Sequence, residues 1–175
     1  MLTSNAVASV LPLTDAPTSS APPTIATRFG ELTYDAADTV EMPRGMPGFS
    51  GHQKFVFARL PDPNQAAFRV MQSLTDPGVS FLIAPVNASL GLFGADDLAE
   101  ACAAAGTVLE DLAITLVVTV RRQAGTIEIS ANLRAPILID TRTRRAVQYV
   151  LSNGALSVRH AISTVQIAEQ AAAVK

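Results

Sequence analysis

The chain has no tryptophan, one cysteine and two tyrosines, and only 16% of its residues are charged. Each scarcity excludes something. A lone Cys102 can form neither an intrachain disulfide nor a Cys-x-x-Cys zinc site, and it is compatible with a reducing compartment. Apolar runs fall short of the roughly 18 residues a membrane-spanning helix needs, so no span is expected. No Lys or Arg precedes Arg28 and no continuous apolar h-region is present, so a secretory signal is not expected either. The formal net charge is -2, which leaves no positive surplus to neutralise phosphates and argues against a general nucleic-acid binder.

Catalytic chemistry is equally sparse. An enzyme needs a nucleophile, base or metal within mutual reach. His52 and His160 are the only histidines, and they lack the close spacing of a metal pair. Cys102 sits among alanines, away from any base, and reads as a small buried hydrophobe. "GLFGADD" places two acids where a phosphate loop needs bare amides. No catalytic, metal or cofactor site is therefore predicted.

What is present is a foldable core, since hydrophobic residues make up 49% of 175. Residues 1–23 are the exception. Pro12, Pro17, Pro22 and Pro23 stand there among Ala, Ser and Thr, as in a disordered extension. From Thr24 the texture becomes short runs with period-two alternation. "LAITLVVTV" sets Leu112, Ile114, Leu116, Val118 and Val120 on one face, with Ala113, Thr115, Val117 and Thr119 on the other. "TIEISANL" sets Ile127, Ile129, Ala131 and Leu133 inward, and Thr126, Glu128, Ser130 and Asn132 outward. These are half-buried antiparallel strands, and the five-residue "RRQAG" between them suits a hairpin. "KFVFARL", "AFRVMQSL" and "VSFLIAP" predict three more strands. Asn153-Gly154 in "VQYVLSNGALSV" predicts a type I′ hairpin pairing Leu151 with Leu156 and Tyr149 with Val158. One helix is predicted over 96–105, with Asp96 as N-cap and Gly106 just past its end. Residues 163–175 also read as helical, though short for an isolated helix.

Charge is unevenly placed. Glu31, Asp35, Asp38 and Glu41 form one acid-only stretch, and Asp96, Asp97, Glu100, Glu110 and Asp111 a second. Arg142, Arg144 and Arg145 form the one basic cluster, which lacks aromatics for base stacking and reads as a solvated loop. Separated charge signs without a catalytic set fit protein recognition. Ordinary solubilising charge fits equally well.

"MPRGMPGFSG" over 42–51 combines two prolines and three glycines with Met42, Met46 and Phe49. The prolines exclude a helix interior or central strand. A rigid, apolar corner can serve as a recognition loop with little left to order, or simply as a buried bend.

"MPRGMPGFSGHQKFVF" resembles the N-terminal motif of the FliW flagellar assembly factor family, through Gly45, Met46, Pro47, Gly48 and Phe49. "VMQSLTDPGVSFLIAP" is similar to that family's Gln-Ser strand and the Phe-bearing strand after it. "ANLRAPILIDTRTRRAVQYVL" is similar to its Asn-Leu-x-Ala-Pro block, carrying Asn132, Leu133, Pro136 and, near its end, Gln148. The motifs fall in order over roughly 25–162, and the proline-rich extension lies outside them. The resemblance implies a mainly β, compact antiparallel barrel-like domain over 24–162 with a short helical insert. It implies a cytoplasmic, non-enzymatic and monomeric binding protein that contacts no nucleic acid or membrane itself. Two partners are implied: flagellin, held before export, and CsrA, the basic translational repressor bound once flagellin has left. Partner-contact candidates are Met46, Phe49, Asp96, Asp97, Asn132, Leu133, Val165 and Ile167. Gly45, Pro47, Gly48, Pro136 and Gln148 are candidates for holding the fold. The alternative reading is a small-molecule-binding β-barrel or an enzyme with an unrecognised site.

Overall fold

A computed structural model of the protein describes residues 22–88, 91–123 and 126–162. Ten strands and one α-helix follow in the order β1 (Thr24–Thr27), β2 (Gly30–Glu41), β3 (Lys54–Arg59), β4 (Arg69–Ser73), β5 (Ser80–Val86), α1 (Ala95–Ala105), β6 (Leu112–Gln123), β7 (Thr126–Ala131), β8 (Ile137–Asp140), β9 (Arg145–Gln148) and β10 (His160–Ala161). The antiparallel path β2-β3-β4-β5-β6 is closed by β8 and β9. β8 pairs with β6, β9 pairs with β8, and Glu41 of β2 meets Arg145 of β9 in parallel. Closure leaves the barrel wall without free edges, the feature that otherwise invites unwanted strand pairing.

β6 carries the design. One of its edges pairs with β5 through Ile114–Val117. The other edge is divided: Leu112–Thr115 pair with β8 inside the barrel, and Val118–Gln123 pair with β7 in a hairpin that projects beyond it. Alternation then feeds two cores, because successive side chains leave a strand on opposite faces. The lumen is filled by Val40, Phe55, Met71, Ile83, Ile137 and Ala146, with Met42 and Met46 entering from the 42–51 turn and Ala113 and Val117 of β6 packed against them. The more apolar face of β6, Leu112, Ile114, Leu116 and Val118, points out of the barrel, where Ala101 of α1, Phe93, Leu133 and Leu151 cover it.

Several expectations change. The alternating face predicted as inward is buried only as far as Val118. Val120 is 46% exposed and Ile127 58%, because their part of the hairpin lies past the cover. Ser130, expected outward, is buried. The strands run further than predicted: Gln123 pairs with Thr126, so two residues replace the five-residue link. α1 begins at Ala95 with Gly94 as N-cap, not Asp96. Asp97, one turn in, accepts the Gly94 N–H at 2.8 Å on its Oδ2, the half of a capping box that the third helical residue supplies and that needs no side chain at the cap. Gly106 closes the helix as expected, its N–H bonding to Ala103 O.

The Asn153-Gly154 hairpin does not form. Neither residue has positive φ. The N–H that would close it is used elsewhere: Ser152 N–H bonds the Glu100 carboxylate at 3.1 Å, while Tyr149 N–H bonds Pro136 O at 3.1 Å and Leu151 N–H bonds Arg134 O at 2.9 Å. Asn153 Oδ1 instead accepts from Ala155 N–H at 3.0 Å, the local side-chain turn that asparagine favours. The expected C-terminal helix and almost all of the proline-rich extension lie outside the described residues. Among the described residues, no helix is long and apolar enough to cross a membrane.

Candidate protein-recognition surface

The 42–51 corner is two turns in series. Gly45 N–H bonds Met42 O at 2.8 Å, and Phe49 N–H bonds Met46 O at 2.7 Å. The second turn has Pro47 at its first central position and Gly48, with φ +82°, at its second, the residues a type II turn demands. Gly45, with φ +65°, has Phe49 O and Ser50 Cα where a Cβ would stand, so the two turns can nest only through glycine. Gln53 Nε2 ties the corner off by donating to Pro43 O at 2.9 Å.

The corner thus splits its apolar residues. Met42 and Met46 are buried in the lumen, whereas Phe49 is 39% exposed. Its ring sits edge-on to Phe81 at 5.3 Å and tilted to His52 at 6.3 Å, a fixed aromatic platform. His52 Nδ1 lies 3.1 Å from Ser73 Oγ and 3.2 Å from Thr75 Oγ1, the residues flanking exposed Leu74. The Gln-Ser strand therefore holds the Phe49 platform through His52. Gln72 supports that strand from full burial, its amide donating to Asp76 O at 2.9 Å and Val79 O at 3.1 Å across the Asp76-Pro77-Gly78 turn.

The acids do not gather into one patch. Asp97 is buried and also receives Asn153 Nδ2 at 3.3 Å. Glu100 takes the Ser152 hydroxyl at 2.7 Å and the Ser152 N–H at 3.1 Å. These bonds, the Ser152 hydroxyl first, hold the Glu100 carboxyl below its ordinary range. Both acids therefore clamp residues 149–153 against α1. Asp96 remains exposed at the helix start, while Glu110 and Asp111 lie beyond its other end, beside exposed Val108 and Leu109. In β2, Glu31 accepts the Thr24 hydroxyl at 2.6 Å, Asp35 caps Ala37 N–H at 2.8 Å, and Asp38 faces the partly desolvated Arg69.

The Asn-Leu-x-Ala-Pro block is internal scaffolding. Leu133 is buried, and its N–H bonds Ser157 O at 3.0 Å. Asn132 Oδ1 accepts from Ala135 N–H at 3.1 Å, and Gln148 Nε2 donates to Ala135 O at 3.1 Å. Buried Pro136 supplies the carbonyl that Tyr149 uses. The arginine cluster forms the β8–β9 turn. Asp140 holds it, accepting Thr143 Oγ1 at 2.6 Å and Arg142 N–H at 3.0 Å, and the Thr143 hydroxyl foremost keeps this carboxyl below its usual range. Arg142 reaches Asp111 at 3.7 Å.

Of the contact candidates, Phe49 and Asp96 are exposed and Asn132 is half-buried; Met46, Asp97 and Leu133 are buried, and Val165 and Ile167 lie outside the described residues. Sequence reasoning missed Leu74, Val108, Leu109, Val120 and Ile127, whose exposure no local pattern announces. Among the described residues, no three His, Cys, Asp or Glu side chains converge on a metal-sized site. The concavities are open. One of about 410 Å³ lies between Arg44, Gly106, Thr143 and Arg145, and one of about 530 Å³ between Pro23, Tyr34, Asp38 and Arg59.

Comparison with known proteins agrees with this architecture. The chain is 30% identical over 138 residues to a flagellar assembly factor FliW of Syntrophotalea carbinolica, covering 78% of this chain and 95% of that one. It is 29% identical over 149 residues to the FliW of a Geobacillus species, strain WCH70, covering 83% and 99%. A crystal structure of the flagellar assembly factor FliW superposes with TM-score 0.60 at 25% identity, covering 79% of this chain and 96% of that one. The family model described as FliW protein matches residues 24–162, and the chain belongs to the FliW family of flagellar assembly factors.

Proposed function

We propose that this protein holds flagellin before export and, once released from it, binds CsrA and so relieves repression of flagellin synthesis. The family membership supports the flagellar setting. The observation that carries the binding role is the exposed Phe49 on its Phe81–His52 platform. A rigid, partly exposed aromatic is the kind of anchor that dominates protein interfaces. Apolar terminal segments of flagellin that are unfolded before export are its natural occupants, and each large side chain buried in common contributes roughly 1.5 to 3 kcal/mol. Exposed acids, Asp96 and Glu110 among them, complement a basic repressor and act chiefly on encounter rate. Open, charge-lined concavities favour this reading over a small-molecule carrier.

Size-exclusion chromatography of the purified protein with purified flagellin is the direct test. A stoichiometric complex is expected, weakened by Phe49→Ala. Absence of any complex with the unaltered chain refutes the reading. For CsrA, stopped-flow association should slow as salt rises, because exposed charges are screened beyond about 8 Å at physiological ionic strength.

A further inference from the structure

Val120 and Ile127 expose 46% and 58% of their surface on the β6–β7 hairpin. They share one face with buried residues lower down. The register sets Val118 opposite Ala131, Val120 opposite Ile129 and Arg122 opposite Ile127, and residues two apart on a strand point the same way. Val118 and Ala131 belong to the outer core, and half-buried Ile129 packs against it. The exposed stripe is that core continued past its cover.

β10 leads to what covers it. His160 pairs with Ala131 and Ala161 with Ser130, so the chain runs along the outer edge of β7 toward the hairpin tip. Ile162 N–H then bonds Ile129 O at 3.2 Å, and the Ile162 side chain packs on the outer core. The chain therefore arrives at the foot of the stripe, on the apolar face and pointing along it. Residues 163–175 come next, with Val165, Ile167 and Val174 as their apolar side chains larger than alanine. From Ile129 to Ile127 is a rise of only about 7 Å, and 13 residues span about 20 Å even when fully helical.

We infer that residues 163–175 of the same chain cover Val120 and Ile127. They complete the outer core over the hairpin. The occupant is the chain's own segment because β10 already delivers it there at no further cost in loop closure, whereas a second copy or a partner must first be captured.

The test places a nitroxide at Ala168→Cys in a Cys102→Ala background and reads methyl signals in the full chain. The Val120 and Ile127 methyls should lose at least tenfold in intensity relative to the reduced label, with Ile25 of β1 unchanged. Broadening of Ile127 no greater than that of Ile25 overturns the inference. So does equal broadening in a mixture where label and methyl isotopes sit on different copies, which would make a second copy the cover. A second measurement uses a chain ending at Ile162. Its binding of 1-anilinonaphthalene-8-sulfonate should brighten several-fold over the full chain, and Ile127→Ser in the shortened chain should cancel the gain. A shortened chain no brighter than the full one also overturns the inference.

Discussion

Replacing Gly45 by alanine should be among the costliest single-methyl changes the protein can suffer, for two separable reasons. Its φ of +65° is left-handed, which costs an L side chain about 1–2 kcal/mol. The new Cβ would also stand 2.7 Å from Phe49 O, 2.7 Å from Ser50 Cα and 2.9 Å from the Ser50 carbonyl carbon. All three are backbone atoms at or just past the end of the second turn, so none can swing aside as a side chain would. Forcing them apart adds about 1–3 kcal/mol, the usual penalty of overpacking. The sum is about 2–5 kcal/mol, a large share of a typical domain's stability. Gly48 separates the two terms, since its φ is +82° but its Cβ position is open, so Gly48→Ala should lose only about 1–2 kcal/mol. Gly51, with open space and no positive φ, serves as control and should stay within about 0.5 kcal/mol. Urea unfolding of the three variants at pH 7 measures the order directly. If Gly45→Ala is as stable as Gly48→Ala, the nested-turn reasoning fails, whatever either does to binding.

Met42→Ala should cost about 2–5 kcal/mol in urea unfolding, because Met42 is 1% exposed and fills the lumen. Phe49→Ala, at a site 39% exposed, should cost less stability than Met42→Ala and show its larger effect in flagellin binding by calorimetry. Asp97→Ala removes the N-terminal bond of α1 and the Asn153 contact, and should lower stability by about 1 kcal/mol, against under about 0.5 for Asp96→Ala. Glu100 and Asp140 are held below their ordinary values near 4.5 and 3.8, so the folded chain binds fewer protons than the unfolded one. Their stabilisation is then full above about pH 4.5 and fades as pH falls through the depressed folded values. Melting temperatures from pH 7 to 3 should drop less steeply at the acid end for Glu100→Gln than for the unaltered chain.

Much of the fold is legible in the sequence where turn residues such as Pro61, Pro63 and Asp76-Pro77-Gly78 punctuate the apolar runs. "KFVFARL", "AFRVMQSL" and "VSFLIAP" become β3, β4 and β5, and "ADDLAEACAAA" becomes α1. β2 and β8 escape the reading for opposite reasons. β2 carries Glu31, Asp35, Asp38 and Glu41 along its length and bulges between Tyr34 and Thr39, which breaks any period. β8 is buried at all four positions, so it has no polar alternation to show. Asn153-Gly154 misleads because turn propensity is local, while the Glu100 carboxylate that takes the Ser152 N–H is distant in sequence. The recognition surface is the least legible part. Phe49 and Met46 stand three residues apart in one motif, yet one is exposed and the other buried. That difference is made by the Met46–Phe49 turn and by Phe81, which comes from a separate strand.

β6 is a cantilever. Its root, Leu112 to Val117, is gripped by β8 along one edge and by β5 along the other, with both at Ile114 and Thr115, whereas its free arm, Val118 to Gln123, carries only β7 and what β7 carries. A rod clamped in this way keeps its direction while its tip can deflect. A protein that lands on the arm meets a strand already aimed by the barrel, and a load on the tip reaches the lumen along one continuous backbone with no hinge between. Hydrogen exchange should show the clamp as a step in protection along a single strand, slow at Leu116 and faster beyond Val120.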